Sequence, residues 1–142
     1  MKMNFLKISL LSLFVSAFTF VACEKDDDTP SSTIKSQIVG TWDFTSFKVD
    51  GDEMIGVVVD SSTVRFQAYT GAQGNFDQTI VYADGERDQI SGKYSVNETK
   101  KEVTMIAGGE TEIAKINFGA AGKMDWNATQ DGEPVVAKLA RR

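Results

Sequence analysis

The feature that most constrains this fold is the spacing of its turn residues. Asp-Gly or Gly-Gly pairs stand at 50–51, 84–85, 108–109 and 131–132, with other short runs of Gly, Asp and Ser between them. Such pairs tolerate the positive φ angles that tight hairpin turns require. Each connection is too short to hold the helical crossover that joins parallel strands, so neighbouring strands must be antiparallel.

The segments between these turns alternate apolar and polar residues with a period of two, as half-buried β-strands do. Their ranges are 38–49, 54–59, 63–69, 76–83, 89–96, 102–107, 111–118, 123–128 and 134–141. An antiparallel meander of this kind leaves sheet edges exposed unless it closes on itself. We therefore predict an all-β domain in which an up-and-down meander of eight to nine strands closes into a β-barrel. A β-sandwich is the alternative, although it would need longer crossing connections.

The composition excludes several classes of function. The chain has 142 residues, and its 15 Lys and Arg against 20 Asp and Glu give a net charge of −5. An acidic domain is a poor partner for the phosphate backbone of nucleic acid. The chain has no His, the commonest general base and metal ligand, and its single Cys cannot build a Cys-rich metal site. We therefore expect no catalytic residue, no metal and no other cofactor, and predict that the protein is not an enzyme.

Residues 1–22 have the pattern of a signal peptide. Lysines stand near the start, and the apolar run at 8–21 is shorter than the roughly 20 residues that a membrane-spanning helix needs. The run ends in Phe20-Val21-Ala22-Cys23, which resembles the cleavage site of bacterial lipoproteins. That resemblance implies cleavage before Cys23, acylation of Cys23, and anchoring of the chain to a membrane by its lipid. A free reactive thiol is the alternative.

Residues 23–33 form a predicted tether. Glu24 to Asp28 is dense in charge, and the residues from Thr29 to Thr33 include none that is apolar enough to pack in a core. The acidic stretch also resembles the export signal of surface lipoproteins in Gram-negative bacteria. The resemblance implies a protein that is lipid-anchored in the outer membrane and exposed at the cell surface. We expect the folded domain to span residues 34–142.

The sequence Gly40-Thr41-Trp42 resembles the Gly-x-Trp opening of lipocalin-like barrels. In that family a short helical turn precedes the first strand, the tryptophan closes the barrel base, and a basic residue of the last strand lies over it. Alternation along the final segment puts Arg141 on its inner face. The resemblance therefore implies that Gly40, Trp42 and Arg141 are structural residues that close the barrel. It also places residues 54–59 where that family carries its first long loop.

One face of the predicted strands supplies an apolar interior that is rich in aromatic residues and in small residues such as Ala68. Gln78 is its one strongly polar member, and Arg65 alternates outward. An eight-stranded barrel either is filled by side chains or holds one small ligand. We expect the ligand to be uncharged at its buried end, because the arginines that clamp a carboxylate in fatty-acid carriers are missing. The predicted ligand-contact residues are Phe66, Tyr82, Tyr94, Met105, Phe118 and Trp126.

Three functions stay open, and the interior favours a membrane-anchored barrel that binds a small, mainly apolar molecule. The second is a protein-protein or glycan interaction module, or a homodimer, with a filled core and a binding surface on its loops and outer face. The large apolar residues that alternation places on that face are Phe47, Val49, Tyr69, Val81, Ile106, Ile113 and Val136. The third is a hydrolase outside the cell, which would need two carboxylates within about 10 Å.

Overall fold

The computed structural model describes residues 33–142, so the predicted signal peptide, Cys23 and nearly all of the tether lie outside the described residues. A compact unit spans Ile34–Arg142. None of the helices in this described part is long and apolar enough to cross a membrane. Within residues 33–142 the bounds of the helix and the strands are α1 Ile34–Gln37, β1 Gly40–Val49, β2 Asp52–Glu53, β3 Val59–Phe66, β4 Gly74–Tyr82, β5 Arg87–Asn97, β6 Glu102–Ala107, β7 Glu110–Phe118, β8 Lys123–Gln130 and β9 Glu133–Arg141.

The strands form one antiparallel sheet that closes into a barrel. From β3 to β9 each strand pairs with the next along the chain, and β1 pairs with both β3 and β9. β2 pairs only with the end of β1 and stands outside the closed ring. The predicted closed barrel is therefore confirmed, with eight strands in the ring and one extra strand. The sandwich alternative is wrong, since the first and last strands pair directly.

One end of the barrel, the base, is closed by contacts among α1, β1 and β9. Trp42 is 1% exposed, and its indole Nε1 donates a hydrogen bond of 2.8 Å to the carbonyl oxygen of Ile38. The Arg141 guanidinium lies over that indole, with Cζ 4.6 Å from the ring centroid. It also donates hydrogen bonds to the carbonyl oxygens of Gln37 and Val39. The contact of the Arg141 guanidinium with the Trp42 ring and these hydrogen bonds to the main chain thus stabilise the base.

Gly40 opens β1 at a position that strongly favours glycine. Its φ of +136° is a backbone conformation that residues with a side chain rarely adopt. A β-carbon at Gly40 would also lie 2.9 Å from Nη1 of Arg141. The glycine therefore leaves the space through which the guanidinium reaches Trp42.

β1 contains an irregularity that turns part of its predicted outer face inward. Its pairing with β9 shifts by one residue after Phe44, so Thr45 is the extra residue of a β-bulge. Beyond the bulge, Phe47 lies opposite the buried Ala137, and its ring centroid is 6.1 Å from that of Phe44. The prediction that Phe47 and Val49 face outward is therefore wrong, because the bulge breaks the period of two.

Two predicted strands also differ from the structure, one over nearly all of its length and the other at its end. Residues 54–58 form a turn, in which the Met54 carbonyl oxygen accepts hydrogen bonds from the amides of Val57 and Val58. β3 ends at Phe66, three residues earlier than predicted. Ala68 is therefore exposed rather than interior, and Tyr69 packs against the core rather than facing outward. Alternation predicts a face only while the chain remains a strand.

The other end of the barrel, the mouth, is less completely paired. β1 pairs with β3 only over residues 40–43. Above that point the carboxylate of Glu53 accepts hydrogen bonds from Ser46 Oγ at 2.5 Å and from the Phe47 and Ile55 amides at 2.7 and 3.2 Å. These bonds, that from Ser46 first, lower the pKa of Glu53 below its ordinary value. Glu53 thus satisfies main-chain donors where β1 leaves β3.

Candidate ligand-binding site

The barrel holds an inner cavity of about 180 Å³. Its wall is largely apolar, because the inward faces of the strands alternate aromatic and aliphatic residues. The bulge in β1 adds an aromatic side chain that strict alternation would have pointed outward. The apolar lining includes Phe44, Phe47, Phe66, Ile80, Trp126 and Val135. This space is small, enclosed by rings on several sides, and suited to a compact apolar group.

An outer cavity of about 520 Å³ adjoins the inner one on the side of the mouth. The two share part of their wall, and the residues that line both are Gln78, Ile90, Met105, Glu112 and Gln130. The outer cavity is more polar, since its remaining lining is drawn largely from the strand ends and turns at the mouth. A ligand in the inner cavity would therefore contact apolar rings at one end and polar groups at the other.

The outer cavity lies where β7 and β8 separate. Their pairing ends toward the mouth at Ala114 opposite Ala128. Beyond that point β7 continues to pair with β6, and β8 continues to pair with β9. Residues of both diverging ends line the cavity, among them Glu112 and Gln130. The barrel is thus opened by the divergence of two strands rather than by a missing element.

A carboxylate stands at the junction of the two cavities. Glu112 is half-buried and lines both of them. Its Oε1 accepts a hydrogen bond of 2.9 Å from Nε1 of Trp126, which is only 6% exposed. The ring of Trp126 is in turn stacked against Phe66, with centroids 6.3 Å apart. A packed indole therefore fixes the position of the one carboxylate among the described residues that line the inner cavity.

Glu112 was missed by the sequence analysis, although the sequence contains the signal for it. The predicted interior has Gln78 as its one strongly polar member and begins in β7 at Ala114. Glu112 comes two residues earlier in a segment with a period of two, and so belongs to the same face. Gln130 follows Ala128 by the same step in β8. The expectation of an interior without charged residues is therefore wrong.

A second polar pair lies in the opposite part of the wall. Nε2 of Gln78 donates a hydrogen bond of 3.2 Å to Oγ of Ser62, which is 7% exposed. Ser62 precedes the buried Val64 by two residues in β3, so alternation along the strand accounts for its position. Gln78 lines both cavities. The amide is thus a further polar group that a ligand at the junction would meet.

The predicted contact residues are divided between the cavity and the base. Phe66, Met105 and Trp126 line the inner cavity, and Met105 also lines the outer one. Phe118 lies at the base, where its ring centroid is 6.0 Å from that of Trp42. Because β7 runs from the mouth to the base, its last residue packs with the closing tryptophan rather than facing the cavity.

The two predicted tyrosines are held away from the cavity by their own hydrogen bonds. The Tyr82 hydroxyl donates a bond of 2.8 Å to Oδ2 of Asp88. Tyr94 is fully buried, and its hydroxyl donates a bond of 2.6 Å to the carbonyl oxygen of Gln67. Burial raises the pKa of Tyr94 to about 12. Gly74, opposite Tyr94 in the sheet, leaves room for the ring, because a β-carbon there would overlap it.

The outer face carries a few exposed apolar side chains. Ile106, Ile113 and Val136 are 41%, 54% and 41% exposed. Ile113 borders an open groove of about 490 Å³ whose other lining residues are mostly polar, such as Lys115 and Asn127. Within residues 33–142, no three Asp, Glu, His or Cys side chains gather to hold a metal ion.

A match to the lipocalin-like domain family covers residues 38–126 of the chain, whereas no curated protein matches it. The redesigned β-barrel b11L5F_LGL has a TM-score of 0.60 at 17% identity, covering 78% of this chain and 99% of that chain. The redesigned β-barrel mFAP1, bound to DFHBI, has a TM-score of 0.57 at 18% identity, covering 78% and 100%. A fluorescence-activating β-barrel designed de novo has a TM-score of 0.55 at 18% identity, covering 75% and 94%. At such identities, the likeness shows the fold.

Proposed function

The chain belongs to the lipocalin-like domain family, and on that basis we propose that its barrel binds a small, mainly apolar molecule in the inner cavity. The observation that carries the proposal is a cavity of about 180 Å³ with aromatic walls, joined to an opening at the mouth. Pockets with apolar walls and a few polar groups are the usual form of small-molecule sites. The mFAP1 barrel, which has a similar fold, is bound to DFHBI.

The size of the cavity sets the expected affinity. A compact two-ring molecule that buries about 200 Å² of apolar surface gains about 5 kcal/mol at 25 cal/mol per Å². The loss of translational and rotational freedom offsets part of this gain. Apolar contacts alone are therefore expected to give weak binding, with a Kd of about a millimolar or more.

The proposal is tested with N-phenyl-1-naphthylamine, an uncharged dye that becomes fluorescent in apolar surroundings. The test variants are V135F and V136F, which add the same ring at neighbouring positions of β9. Val135 lines the inner cavity and is 4% exposed, whereas Val136 points outward and is 41% exposed. V135F is expected to weaken dye binding at least fivefold, and V136F to leave it within twofold of the parent protein.

A parent protein that binds the dye no better than V135F would contradict the proposal. Equal loss of binding in both variants would also contradict it, because the dye would then bind somewhere other than the cavity. Circular dichroism spectra and thermal midpoints of the two variants check that the added ring leaves the barrel folded.

We also propose that the barrel is anchored in the outer membrane by lipid on Cys23 and faces the outside of the cell. The support is the signal-peptide pattern of residues 1–22 and the acidic tether that follows. Radiolabelled palmitate is expected to enter the full-length protein but not C23A when both are expressed in a Gram-negative host. Protease added to intact cells is expected to digest the anchored protein. Equal labelling of the two proteins, or protection from protease, would overturn the corresponding part.

A further inference from the structure

The charged residues that line the two cavities all have the same sign. Glu110, Glu112 and Asp131 line the outer cavity. None of the described residues that line either cavity is Lys or Arg. A cleft lined by charges of one sign concentrates field lines and raises the local concentration of ions of opposite sign. The mouth of this barrel therefore attracts cations and repels anions.

Glu112 differs in its surroundings from Glu110 and Asp131, the other two carboxylates that line the outer cavity. Within the described residues it accepts one hydrogen bond, at Oε1 from the indole of Trp126. A carboxylate offers about four lone-pair sites on its two oxygens, so Oε2 keeps its capacity to accept a bond. The position is half-buried and borders the apolar inner cavity, where a charge interacts more strongly than it does in water.

Resting on the proposed function, we infer that the ligand is an apolar molecule with a cationic nitrogen, such as a protonated amine, and that Glu112 pairs with this nitrogen. The apolar part occupies the inner cavity against Phe66 and Trp126, and the nitrogen lies at the junction of the two cavities. The rings of the wall add to the recognition, because aromatic faces attract cations. Trp126 is a positioning residue that holds the carboxylate toward the junction.

This inference keeps the expectation that the ligand is uncharged at its buried end and adds a positive charge at its outer end, at the junction of the two cavities. That expectation followed from the missing arginines, which exclude a clamp for an anionic headgroup. The same lack of arginines leaves Glu112 without a basic side chain among the described residues that line the cavities. The site is therefore built to favour a positive group and to disfavour a carboxylate.

The test uses three naphthalene compounds that differ only in the group on the ring: 1-naphthylmethylamine, which is cationic at pH 7, 1-naphthylmethanol, which is neutral, and 1-naphthoate, which is anionic. Binding is measured by isothermal titration calorimetry at low salt. The amine is expected to bind about tenfold more tightly than the alcohol, and the naphthoate more weakly than either. In E112Q the preference for the amine over the alcohol is expected to fall to about twofold or less.

E112Q is a suitable variant because the glutamine keeps the shape of the side chain. Its carbonyl oxygen can still accept the hydrogen bond from Trp126, so the wall should remain in place. The matched control is E86Q, which removes the same charge from an exposed residue at the mouth, outside the described lining of both cavities. E86Q is expected to keep the preference for the amine within twofold of the parent value.

The outcomes separate the inference from the proposed function. Two results would overturn the cationic ligand but leave the apolar site in place. In the first, the alcohol binds and the amine binds no more tightly. In the second, both bind and E112Q leaves the preference for the amine over the alcohol unchanged. An equal loss of preference in E86Q and E112Q also overturns the pairing, because a general field would then explain it. If none of the three compounds binds, both proposals are overturned. A preference that E112Q alone removes supports both.

Discussion

Gly92 lies so close to the main chain of Ile106 that a β-carbon on Gly92 would overlap the carbonyl oxygen of Ile106. The same β-carbon would lie 2.8 Å from Cε1 of Phe76. Gly92 stands next to the point where the pairing of β5 with β6 begins, at Lys93 opposite Ile106. A glycine inside a strand often marks such a close approach of one backbone to another. Here it lets β6 and the ring of Phe76 share the space that a side chain would occupy.

The first prediction is that G92A destabilises the barrel by about 2 kcal/mol, in the range of overpacked cores. The obstacle is a backbone oxygen, which cannot move without disturbing the pairing of β5 with β6. Urea unfolding measures the effect. The control is G119A, because a β-carbon at Gly119 would meet only Cβ of Lys123, at 3.9 Å. A loss in G92A no larger than that in G119A would show that the sheet absorbs the added atom.

The second prediction concerns the closure of the base. R141A is expected to lower the free energy of unfolding by about 2 kcal/mol, because it removes the contact with Trp42 and the hydrogen bonds to the main chain. R141K keeps the positive charge but not the planar guanidinium with its several N–H donors. About half of the loss in unfolding free energy should therefore remain. The control is R142A, which removes an exposed ion pair of 2.7 Å with Asp43 and should cost less than about 1 kcal/mol. Equal losses in R141A and R142A would refute a special role for the base contact.

The third prediction concerns acid stability at the mouth. The bonds from Ser46 and the main-chain amides depress the pKa of Glu53 from its ordinary value of 4.5. The stability that Glu53 contributes is therefore present above pH 4.5 and is lost as the pH falls through its lower value in the folded state. E53Q is expected to be less stable than the parent by about 1 kcal/mol at pH 7, with a smaller difference at pH 3. The control is D52N, at the neighbouring position. A difference in stability between E53Q and the parent protein that does not change with pH would contradict the prediction.

The fourth prediction concerns alkaline stability. Burial, with a smaller effect of Tyr69, raises the pKa of Tyr94 from 10.0 to about 12. The unfolded chain therefore ionises this hydroxyl first, and the stability that Tyr94 contributes is lost as the pH rises from 10 through 12. The shift corresponds to about 3 kcal/mol at its full extent. The free energy of unfolding of the parent protein is expected to fall faster than that of Y94F between pH 9 and pH 11.5. Parallel decreases would indicate that Tyr94 ionises normally in the folded barrel.

The sequence predicts the strands of the barrel well because their signals are local. Turn pairs and a period of two are properties of neighbouring residues, so they do not depend on which strand lies alongside. Thr45 shows where this reasoning ends, since a bulge is defined only by the pairing of β1 with β9. The same holds for Tyr94, whose inward position is predicted but whose bond to the Gln67 carbonyl depends on where the chain after β3 runs.

In the candidate site, too, local features can be predicted from the sequence, whereas features that depend on strand pairing cannot. The inward position of Glu112 follows from the alternation in β7, where it precedes the buried Ala114 by two residues. Its bond to Trp126 does not follow from alternation, because it depends on the register of β7 against β8. The opening itself is still less predictable. It arises where two strands stop pairing although both continue, and nothing in either segment marks that point.

The separation of β7 from β8 also has a kinetic consequence. A ligand that had to pass between two fully paired strands would depend on the breaking of main-chain hydrogen bonds, and such local opening is slow compared with diffusion. Here the ladder between β7 and β8 already ends at Ala114 opposite Ala128, and the outer cavity lies beyond that point. A ligand can therefore reach the Glu112 carboxylate without breaking main-chain hydrogen bonds between strands. We therefore expect the proposed ligand to enter and leave at rates set by diffusion and by the loss of water from its charged end, while the barrel remains folded.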